Sequence, residues 1–438
     1  MTRLTVIGTG YLGATHAACM AELGFEVLGL DVDADKVGSL SKGQVPFYEP
    51  GLEALLQRHV VSGRLRFTTS YEEVGEFGDV HFLCVGTPQR KNGLGADVSY
   101  VDAAVNALVP HLTRPALVVG KATVPVGTAE RLAELVRAQA PAAEQVELAW
   151  NPEFLREGFG VQDTLQPDRL VFGVRSESAE RTLRHVYEQA VRAGTPVVVT
   201  DYATAELVKV SANAFLATKI SFINAIAEIC EVAGADVNQL ADALGHDSRI
   251  GRKFLNAGVG FGGGCLPKDI RAFIARAGEL GAAQALTFLH EVDATNMRRR
   301  GRVVELAREL AGGSFIGRRV AVLGAAFKPD SDDIRDSPAL NVAGQIQLQG
   351  ATVCVYDPKA MDNAARLFPT LGYAPSAEDA CAGADVVLHL TEWPEFRRLD
   401  PVALGGLVHR RTIVDGRNCL DVDAYRAAGW TYRGLGRH

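Results

Sequence analysis

The strongest constraint on the fold is a glycine pattern close to the N-terminus. The motif GTGYLG (8–13) follows an apolar run (4–7) and opens a helical pattern over 12–23. A second apolar run (25–31) ends in Asp31. A strand, a glycine-rich turn, a helix and an acid at the end of the next strand together predict the first βαβ unit of a doubly wound sheet.

The same turn predicts a dinucleotide site. Its glycines let the backbone approach a pyrophosphate, and the helix N-terminus attracts negative charge. Asp31 is suited to the ribose hydroxyls and would repel a 2′-phosphate, so NAD is expected rather than NADP. Lys36 is expected either at this ribose or its phosphates, or as a solvated helix charge. The cofactor residues predicted here are Gly8, Gly10, Tyr11, Leu12, Gly13 and Asp31.

Hydrophobic periodicity divides the chain into three parts. Over 1–200 and again over 313–438, short apolar runs alternate with helical patterns, which predicts parallel sheets covered by helices. Between them, 201–312 is helical and begins with an unbroken helix from Asp201 to Gly234. We therefore predict an α/β fold with two Rossmann-like doubly wound domains, joined by a long central helix and a helical middle region. The predicted strands are 4–8, 25–31, 81–86, 116–122, 146–150, 169–173, 318–324, 351–357, 384–390 and 411–416.

Composition argues against several classes of protein. The 438 residues carry a net charge of −7, whereas nucleic-acid binders usually present a basic surface. No apolar run is as long as the roughly 18 residues that a membrane-spanning helix needs. The cysteines are scattered without a CxxC pair, which is typical of a reducing compartment. A strand that begins at Leu4 leaves no room for a signal peptide, so a cytoplasmic location is expected. The histidines form no metal-like cluster, and no metal is expected.

The segment GVGFGGGCLPKD (258–269) is the most informative one for chemistry. Its glycines suit a backbone that turns sharply and approaches a ligand closely. Pro267 indicates the first residue of a helix, so Cys265 would lie just before a helix N-terminus, which lowers the pKa of a thiol. Lys268 adds positive charge, and Asp269 is placed to face the same space. The segment predicts that Cys265 is a nucleophile.

Six motifs together resemble one family of enzymes. They are GTGYLG (8–13), CVGTP (84–88), NPEFLREG (151–158), ELVKVSANAFLATKISFINAIAEIC (206–230), GVGFGGGCLPKD (258–269) and FKPDSDDIRDSP (327–338). They extend over the whole chain, which resembles the UDP-glucose/GDP-mannose dehydrogenase family, and its UDP-glucose branch in particular. One departure is Gly264, where many relatives carry serine.

The resemblance implies oxidation of the C6 hydroxyl of UDP-glucose to a carboxylate, giving UDP-glucuronate, with two NAD reduced per turnover. Cys265 would add to the intermediate aldehyde and carry a thiohemiacetal, then a thioester that water hydrolyses. Lys209 and Asn213, spaced i, i+4, would stabilise the oxyanion, although spacing alone also fits a solvated polar stripe. Asp269 and Thr123 would position or activate water, and Glu153 would act as general base or acid.

The resemblance also implies ligand-binding residues and a homodimer. The second α/β domain would bind the nucleotide of the substrate, and the long helix would form the core of the dimer. Further residues expected at NAD are Val85, Thr87, Thr123, Glu157, Lys268 and Arg335. Those expected at UDP-glucose are Glu153, Phe154, Leu155, Arg156, Glu157, Lys209, Asn213, Arg249, Phe254, Leu255, Asn256, Gly258, Gly262, Phe327, Lys328 and Arg417.

Three alternatives stay open at this point. The first is the same chemistry on another nucleotide sugar, such as GDP-mannose or a UDP-N-acetylhexosamine. The second is a two-electron 3-hydroxyacid dehydrogenase, which would need neither Cys265 nor the second α/β domain. The third is a nucleotide-sugar sensor without catalysis, which would not need the Cys265, Lys209, Asn213 and Asp269 set.

Overall fold

The computed structural model describes residues 2–437. The chain forms two compact units. The first comprises the residues up to Ala212 together with Arg271–Gly281, and the second comprises Asn213–Ile270 and the residues from Ala282 onward. Two of the three boundaries fall inside helices, Tyr202–Ala233 and Leu266–Glu279, and the third lies in the turn that follows the second helix. The division into domains 1–200, 201–312 and 313–438 stays a prediction.

The first unit is built on an eight-stranded sheet. Its strands are β1 (Arg3–Ile7), β2 (Glu26–Leu30), β3 (Leu65–Thr68), β4 (Val80–Leu83), β5 (Ala116–Gly120), β6 (Val146–Trp150), β7 (Leu170–Gly173) and β8 (Val197–Thr200). Their order is β3-β2-β1-β4-β5-β6-β7-β8. The predicted parallel sheet is confirmed for β1 to β6, but it is wrong at the next pair, because β7 joins β6 antiparallel through Trp150 and Gly173. The strands β3 and β8 were not predicted.

Helices cover both faces of this sheet, and apolar cores lie on either side of it. They are α1 (Tyr11–Glu22), α2 (Ala34–Ser41), α3 (Leu52–Val61), α4 (Tyr71–Phe77), α5 (Ser99–Leu108), α6 (Thr128–Gln139), α7 (Gly160–Leu165), α8 (Glu177–Val186) and α9 (Glu188–Arg192). Helix α1 can lie close to the strands because Ala14, Ala17, Ala18 and Ala21 are small and fully buried. This arrangement places the GTGYLG turn at the carboxyl end of β1, where doubly wound sheets bind ligands.

The middle of the chain is helical, as predicted. It contains α10 (Tyr202–Ala233), α11 (Val237–Gly245), α12 (Leu266–Glu279) and α13 (Thr287–Leu310). A short 3-10 turn covers Ala283–Leu286 in this region, and two others cover Val109–His111 and Ala143–Gln145 in the first unit. The predicted long helix is confirmed as α10, with 32 residues. Within residues 2–437, no helix has both the length and the apolar character needed to cross a membrane.

The second unit contains a six-stranded sheet of order β11-β10-β9-β12-β13-β14, in which all neighbours are parallel. The strands are β9 (Arg319–Leu323), β10 (Thr352–Tyr356), β11 (Gly372–Tyr373), β12 (Val386–His389), β13 (Thr412–Asp415) and β14 (Thr431–Gly434). The helices are α14 (Pro338–Leu348), α15 (Met361–Leu367), α16 (Ala377–Cys381), α17 (Pro394–Arg397), α18 (Pro401–Gly405) and α19 (Val422–Ala427). The second doubly wound domain is thereby confirmed.

Candidate active site

The glycines of the GTGYLG turn have two different roles. A Cβ at Gly8 would lie 2.7 Å from Val85 Cγ1, and a Cβ at Gly13 would lie 1.8 Å from the carbonyl oxygen of Gly8, so both positions exclude any side chain. At Gly10, by contrast, no atom of the described residues 2–437, apart from those of its two chain neighbours, lies within 4 Å of such a Cβ. Helix α1 begins next to Gly10 without a side-chain cap. The turn therefore leaves open backbone and uncapped N–H groups, which fit a dinucleotide pyrophosphate.

Asp31 is buried at the end of β2 and is held by several donors. Its Oδ2 accepts hydrogen bonds from the backbone N–H of Thr9 at 2.9 Å and from Lys36 Nζ at 3.0 Å. Burial opposes ionisation, but Lys36 and the backbone donors outweigh it and keep the pKa of Asp31 below its usual value. Lys36 thus lies beside Asp31, the residue predicted to bind the ribose of NAD.

The side chain of Tyr11 is engaged within the protein. Its hydroxyl donates to Glu49, a buried carboxylate that also accepts the backbone N–H groups of Gly158 at 2.7 Å and Gly160 at 2.6 Å. Burial and Glu49 both raise the pKa of Tyr11. Glu49 therefore joins the dinucleotide turn to the end of the NPEFLREG loop. Sequence reasoning missed Glu49, whose one signal is an acid in the short segment PFYEPG.

The NPEFLREG loop is fixed to α10 by an ion pair. Lys209 Nζ lies 3.0 Å from Glu153 Oε1, with the two side chains 6% and 14% exposed. Glu153 Oε2 also accepts the N–H of Leu155 at 2.6 Å. The centre of the Phe154 ring lies 5.6 Å from Lys209 Nζ and 3.7 Å from the guanidinium carbon of Arg169. Arg156, next in the loop, pairs with Asp163 and is largely exposed, while Glu157 is half-buried.

A buried polar cluster supports the start of this loop. Lys121 donates to Asn151 Oδ1 at 3.0 Å and to the hydroxyl of Tyr187 at 3.1 Å. Together with His16 these residues line a cleft that reaches Glu153. Burial, with a smaller contribution from Lys121, holds the pKa of His16 well below its usual value. Lys121 was also missed, because a lysine at the end of a strand resembles an ordinary solvated charge.

Two residues predicted at the cofactor are in direct contact. The hydroxyl of Thr87, which follows β4, donates to the carbonyl oxygen of Thr123 at 2.7 Å. Thr87 is buried and Thr123 is half-buried. Val85, also predicted here, packs against Gly8.

In the second unit, Cys265 lies directly before α12 and is exposed, whereas five of the other cysteines are buried and Cys419 is intermediate. Helix α12 begins at Leu266, one residue before the predicted Pro267. Asp269, one turn on, is 1% exposed and accepts hydrogen bonds from Asn213 Nδ2 at 2.7 Å and Lys268 Nζ at 2.6 Å. Asn213 thus donates to a carboxylate, as Lys209 does in the first unit, and Lys268 is paired with Asp269.

The glycines before Cys265 approach the second unit's own backbone and side chains. A Cβ at Gly260, whose φ is +101°, would lie 2.4 Å from Asn296 Oδ1, and a Cβ at Gly262 would lie 2.4 Å from the carbonyl oxygen of Asp336. Neither position therefore has room for a side chain, and the close approach of these glycines to a ligand stays a prediction. At Gly264 the guanidinium of Arg335 occupies the space of a side chain, 2.2 Å from the Cβ position.

Several residues predicted at the substrate surround this segment. Arg417 donates to the carbonyl oxygens of Leu390, Gly260 and Phe327 at 2.7, 3.2 and 3.0 Å. The ring of Phe327 packs on Gly263, and Lys328 Nζ lies 5.7 Å from that ring. The other predicted residues here are Gly258, whose N–H donates to Asn224, buried Leu255, and exposed Phe254 and Asn256. Arg249 is different, because its side chain is 87% exposed and pairs with Asp247.

One grouping was not expected from the sequence. His389, Asp415 and Cys419 bring potential metal-ligand atoms within 4.8 Å of one another. However, the two oxygens of Asp415 already accept hydrogen bonds, one from His389 and one from Tyr432, each at 2.8 Å. Both ligand atoms of this carboxylate are therefore engaged in a buried hydrogen-bond network.

Comparisons with known proteins cover almost the whole chain. Sequence profiles of the UDP-glucose/GDP-mannose dehydrogenase family match residues 2–191 (NAD binding domain), 203–298 (central domain) and 321–422 (UDP binding domain). A UDP-glucose 6-dehydrogenase of Rhizobium meliloti is 41% identical over 99% of both chains. UDP-glucose 6-dehydrogenase TuaD of Bacillus subtilis is 40% identical over 100% of this chain and 94% of the relative. A UDP-glucose dehydrogenase structure from Pyrobaculum islandicum superposes with a TM-score of 0.91 at 39% identity, covering 100% and 98% of the two chains. The chain belongs to the UDP-glucose/GDP-mannose dehydrogenase family.

Proposed function

We propose that this chain catalyses the NAD-dependent, four-electron oxidation of the C6 hydroxyl of UDP-glucose, giving UDP-glucuronate. The observation that carries the proposal is an exposed thiol, Cys265, at the start of a helix whose buried carboxylate Asp269 is held by Asn213. The relatives that are 40% and 41% identical over nearly their full length are UDP-glucose 6-dehydrogenases, which supports this substrate.

The chemistry assigned to the chain's residues has two oxidations and one hydrolysis. NAD, when bound, accepts a hydride in each oxidation. Between them the Cys265 thiolate adds to the C6 aldehyde, and after the second oxidation the sulfur carries a thioester that one water cleaves. Glu153 and Asp269 take up and return the protons, and Thr123 helps to position the water. Lys209 and Asn213 orient these two carboxylates and supply donors for the developing oxyanion.

Binding of the two nucleotides is assigned to different parts of the chain. The open backbone at Gly10 and the carboxylate of Asp31 would hold NAD in the domain 1–200. Arg417 and Lys328, in the domain 313–438, suit the diphosphate of UDP-glucose because they form charge-assisted hydrogen bonds. The helical region 201–312 would join these domains and carry the nucleophile.

The decisive experiment counts NADH formed per UDP-glucose in the purified protein. Two NADH per sugar are expected, and Cys265→Ser should stop before the second. Cys419→Ser is the matched control, because Cys419 is the other cysteine that is not buried, and it should retain the wild-type yield. One NADH per sugar would refute the four-electron reaction and favour a 3-hydroxyacid-type dehydrogenase. Faster turnover of GDP-mannose or a UDP-N-acetylhexosamine would refute the choice of sugar.

We also infer a cytoplasmic homodimer formed through α10. Along this helix Phe215, Phe222, Ile229 and Val232 are 65%, 51%, 61% and 91% exposed, and an apolar stripe of this kind is a favourable surface for a second copy. Phe222→Glu should convert a dimer to a monomer in analytical ultracentrifugation. Ile316→Glu, a similarly exposed apolar position outside the stripe, should leave the mass unchanged. A monomeric wild type would refute the dimer.

A further inference from the structure

A buried carboxylate from α10 caps the start of α6. Glu206 is 2% exposed, and its two oxygens accept the backbone N–H groups of Gly127 and Ala129, each at 2.7 Å. Helix α6 begins at Thr128 and has no capping side chain of its own, because its N-cap residue is Gly127 with a φ of +95°. The N–H groups at a helix start need acceptors. Here a residue from a distant part of the chain supplies them.

A guanidinium binds the same segment. Arg276, in α12, donates from Nε and a terminal nitrogen to the carbonyl oxygen of Val126, at 3.0 and 2.7 Å. Its guanidinium also lies against Gly127, where a Cβ would be 3.2 Å away. The backbone from Val126 to Ala129 is therefore held by one carboxylate and one guanidinium, which we call the α6 clamp.

The α6 clamp adjoins two residues of the proposed site. The held segment follows Thr123 by three residues, and Thr123 is itself fixed through its carbonyl oxygen by Thr87. Glu206 precedes Lys209 by three residues on α10, so the two side chains share one face of the helix. Lys209 in turn binds Glu153. The clamp thus connects the Thr123 turn to the helix that presents Lys209.

Capping α6 in this way is energetically expensive. A serine or aspartate at the N-cap would satisfy the same N–H groups at little cost, whereas a buried carboxylate loses its hydration. Burial raises the pKa of Glu206 to about 7, even though three backbone N–H groups and Arg276 favour its ionised form. A cap that costs free energy is expected next to the proposed site if the reaction depends on the position of the capped segment.

We propose that Glu206 and Arg276 are positioning residues for the reaction, which fix the Thr123 turn relative to Lys209 without touching substrate or cofactor. This inference rests on the proposed function. Loss of the clamp should lower kcat more than it changes KM, because misplacement by about 1 Å can cost about 100-fold in rate.

The test compares Glu206→Gln and Arg276→Met with the wild type in the full-length protein. Glutamine keeps the size but has one acceptor oxygen instead of two, so it cannot cap both N–H groups. We expect kcat to fall at least about tenfold with the KM for UDP-glucose within about threefold, a split typical of lost transition-state stabilisation. Backbone hydrogen exchange over 122–130 should accelerate, while 52–61 in α3 should not change. Glu130→Gln is the control, because Glu130 lies in the first turn of α6 but pairs with Arg175 at the surface.

Two outcomes would overturn the inference. A kcat within twofold of the wild type in both variants would show that the clamp is not needed for turnover, and the proposed function would still stand. Equally accelerated exchange in 122–130 and 52–61 would show a general loss of stability instead of positioning. If Glu206→Gln does not fold, Arg276→Met decides by the same measurements. A wild type that makes no NADH from UDP-glucose refutes the proposed function, and hydrogen exchange still tests whether the clamp holds 122–130.

Discussion

The ion pair between Lys209 and Glu153 gives a quantitative prediction. Their charged atoms are 3.0 Å apart, and both side chains are largely buried. At an effective dielectric constant of about 20, two unit charges at this distance attract by about 5 kcal/mol, most of which offsets the loss of hydration. Removal of one partner leaves the other charge buried and uncompensated, at a cost of about 3 to 5 kcal/mol. Lys209→Met and Glu153→Gln should each destabilise the first unit by about this amount.

The double variant separates pairing from packing. Because Lys209→Met combined with Glu153→Gln leaves no unpaired charge, its loss of unfolding free energy should be smaller than the sum of the single losses by about 2 to 3 kcal/mol. Urea unfolding of the full-length protein measures all four states of this cycle. The exposed pair Arg181 and Glu177, at i, i+4 on α8, is the control and should show no measurable coupling. Additivity within about 0.5 kcal/mol for Lys209 and Glu153 would refute the reasoning.

Three further predictions concern buried contacts. Glu49→Gln should lower unfolding free energy by at least about 2 kcal/mol and weaken NADH binding in a fluorescence titration, because an amide cannot accept all the donors around Glu49; an unchanged melting temperature would contradict this. Gly260→Ala should lower the unfolding free energy in urea by more than about 2 kcal/mol, because Gly260 has a positive φ and an added Cβ would overlap neighbouring atoms. Gly278→Ala in α12, where an added Cβ has open space, should be neutral or stabilising. Equal losses of unfolding free energy in the two variants would refute the argument. Burial opposes ionisation of Asp415, but His389 helps to lower the pKa of Asp415 to about 2. Ionised Asp415 should therefore add about 2 to 3 kcal/mol to the unfolding free energy above about pH 4, and this stabilisation should disappear towards pH 2. Asp415→Asn should lack this part of the acid titration.

Much of the fold could be predicted because its signals are local. The GTGYLG turn, the run from Asp201 to Gly234 and the strand–helix alternation each depend on neighbouring residues, and all three were confirmed. Short strands were missed when they had too few apolar residues for a period to show, as in β3. The antiparallel junction of β6 and β7 was also missed, because strand direction is set by how the intervening chain returns to the sheet.

The candidate site was predicted less completely. The sequence placed Cys265 before a helix and Asp269 one turn later, and the structure has both where expected. The partners of these residues were not predictable, since Asn213 and Asp269 are separated by 56 residues and Glu49 and Gly158 by 109. Buried acids such as Glu49 and Glu206 carry no local mark, because the groups that make their burial tolerable come from elsewhere in the chain.

By itself, then, the sequence determined the elements, the dinucleotide turn and the position of the thiol at a helix start, because helical and strand periodicity act over a few residues. The tertiary structure alone decided which charged and polar groups contact one another. It paired Lys209 with Glu153 and Asn213 with Asp269, and it placed Glu206 and Arg276 on the start of α6. The physical reason is that the energy of a buried polar group depends on partners brought to it by the topology of the fold, and not on its neighbours along the chain.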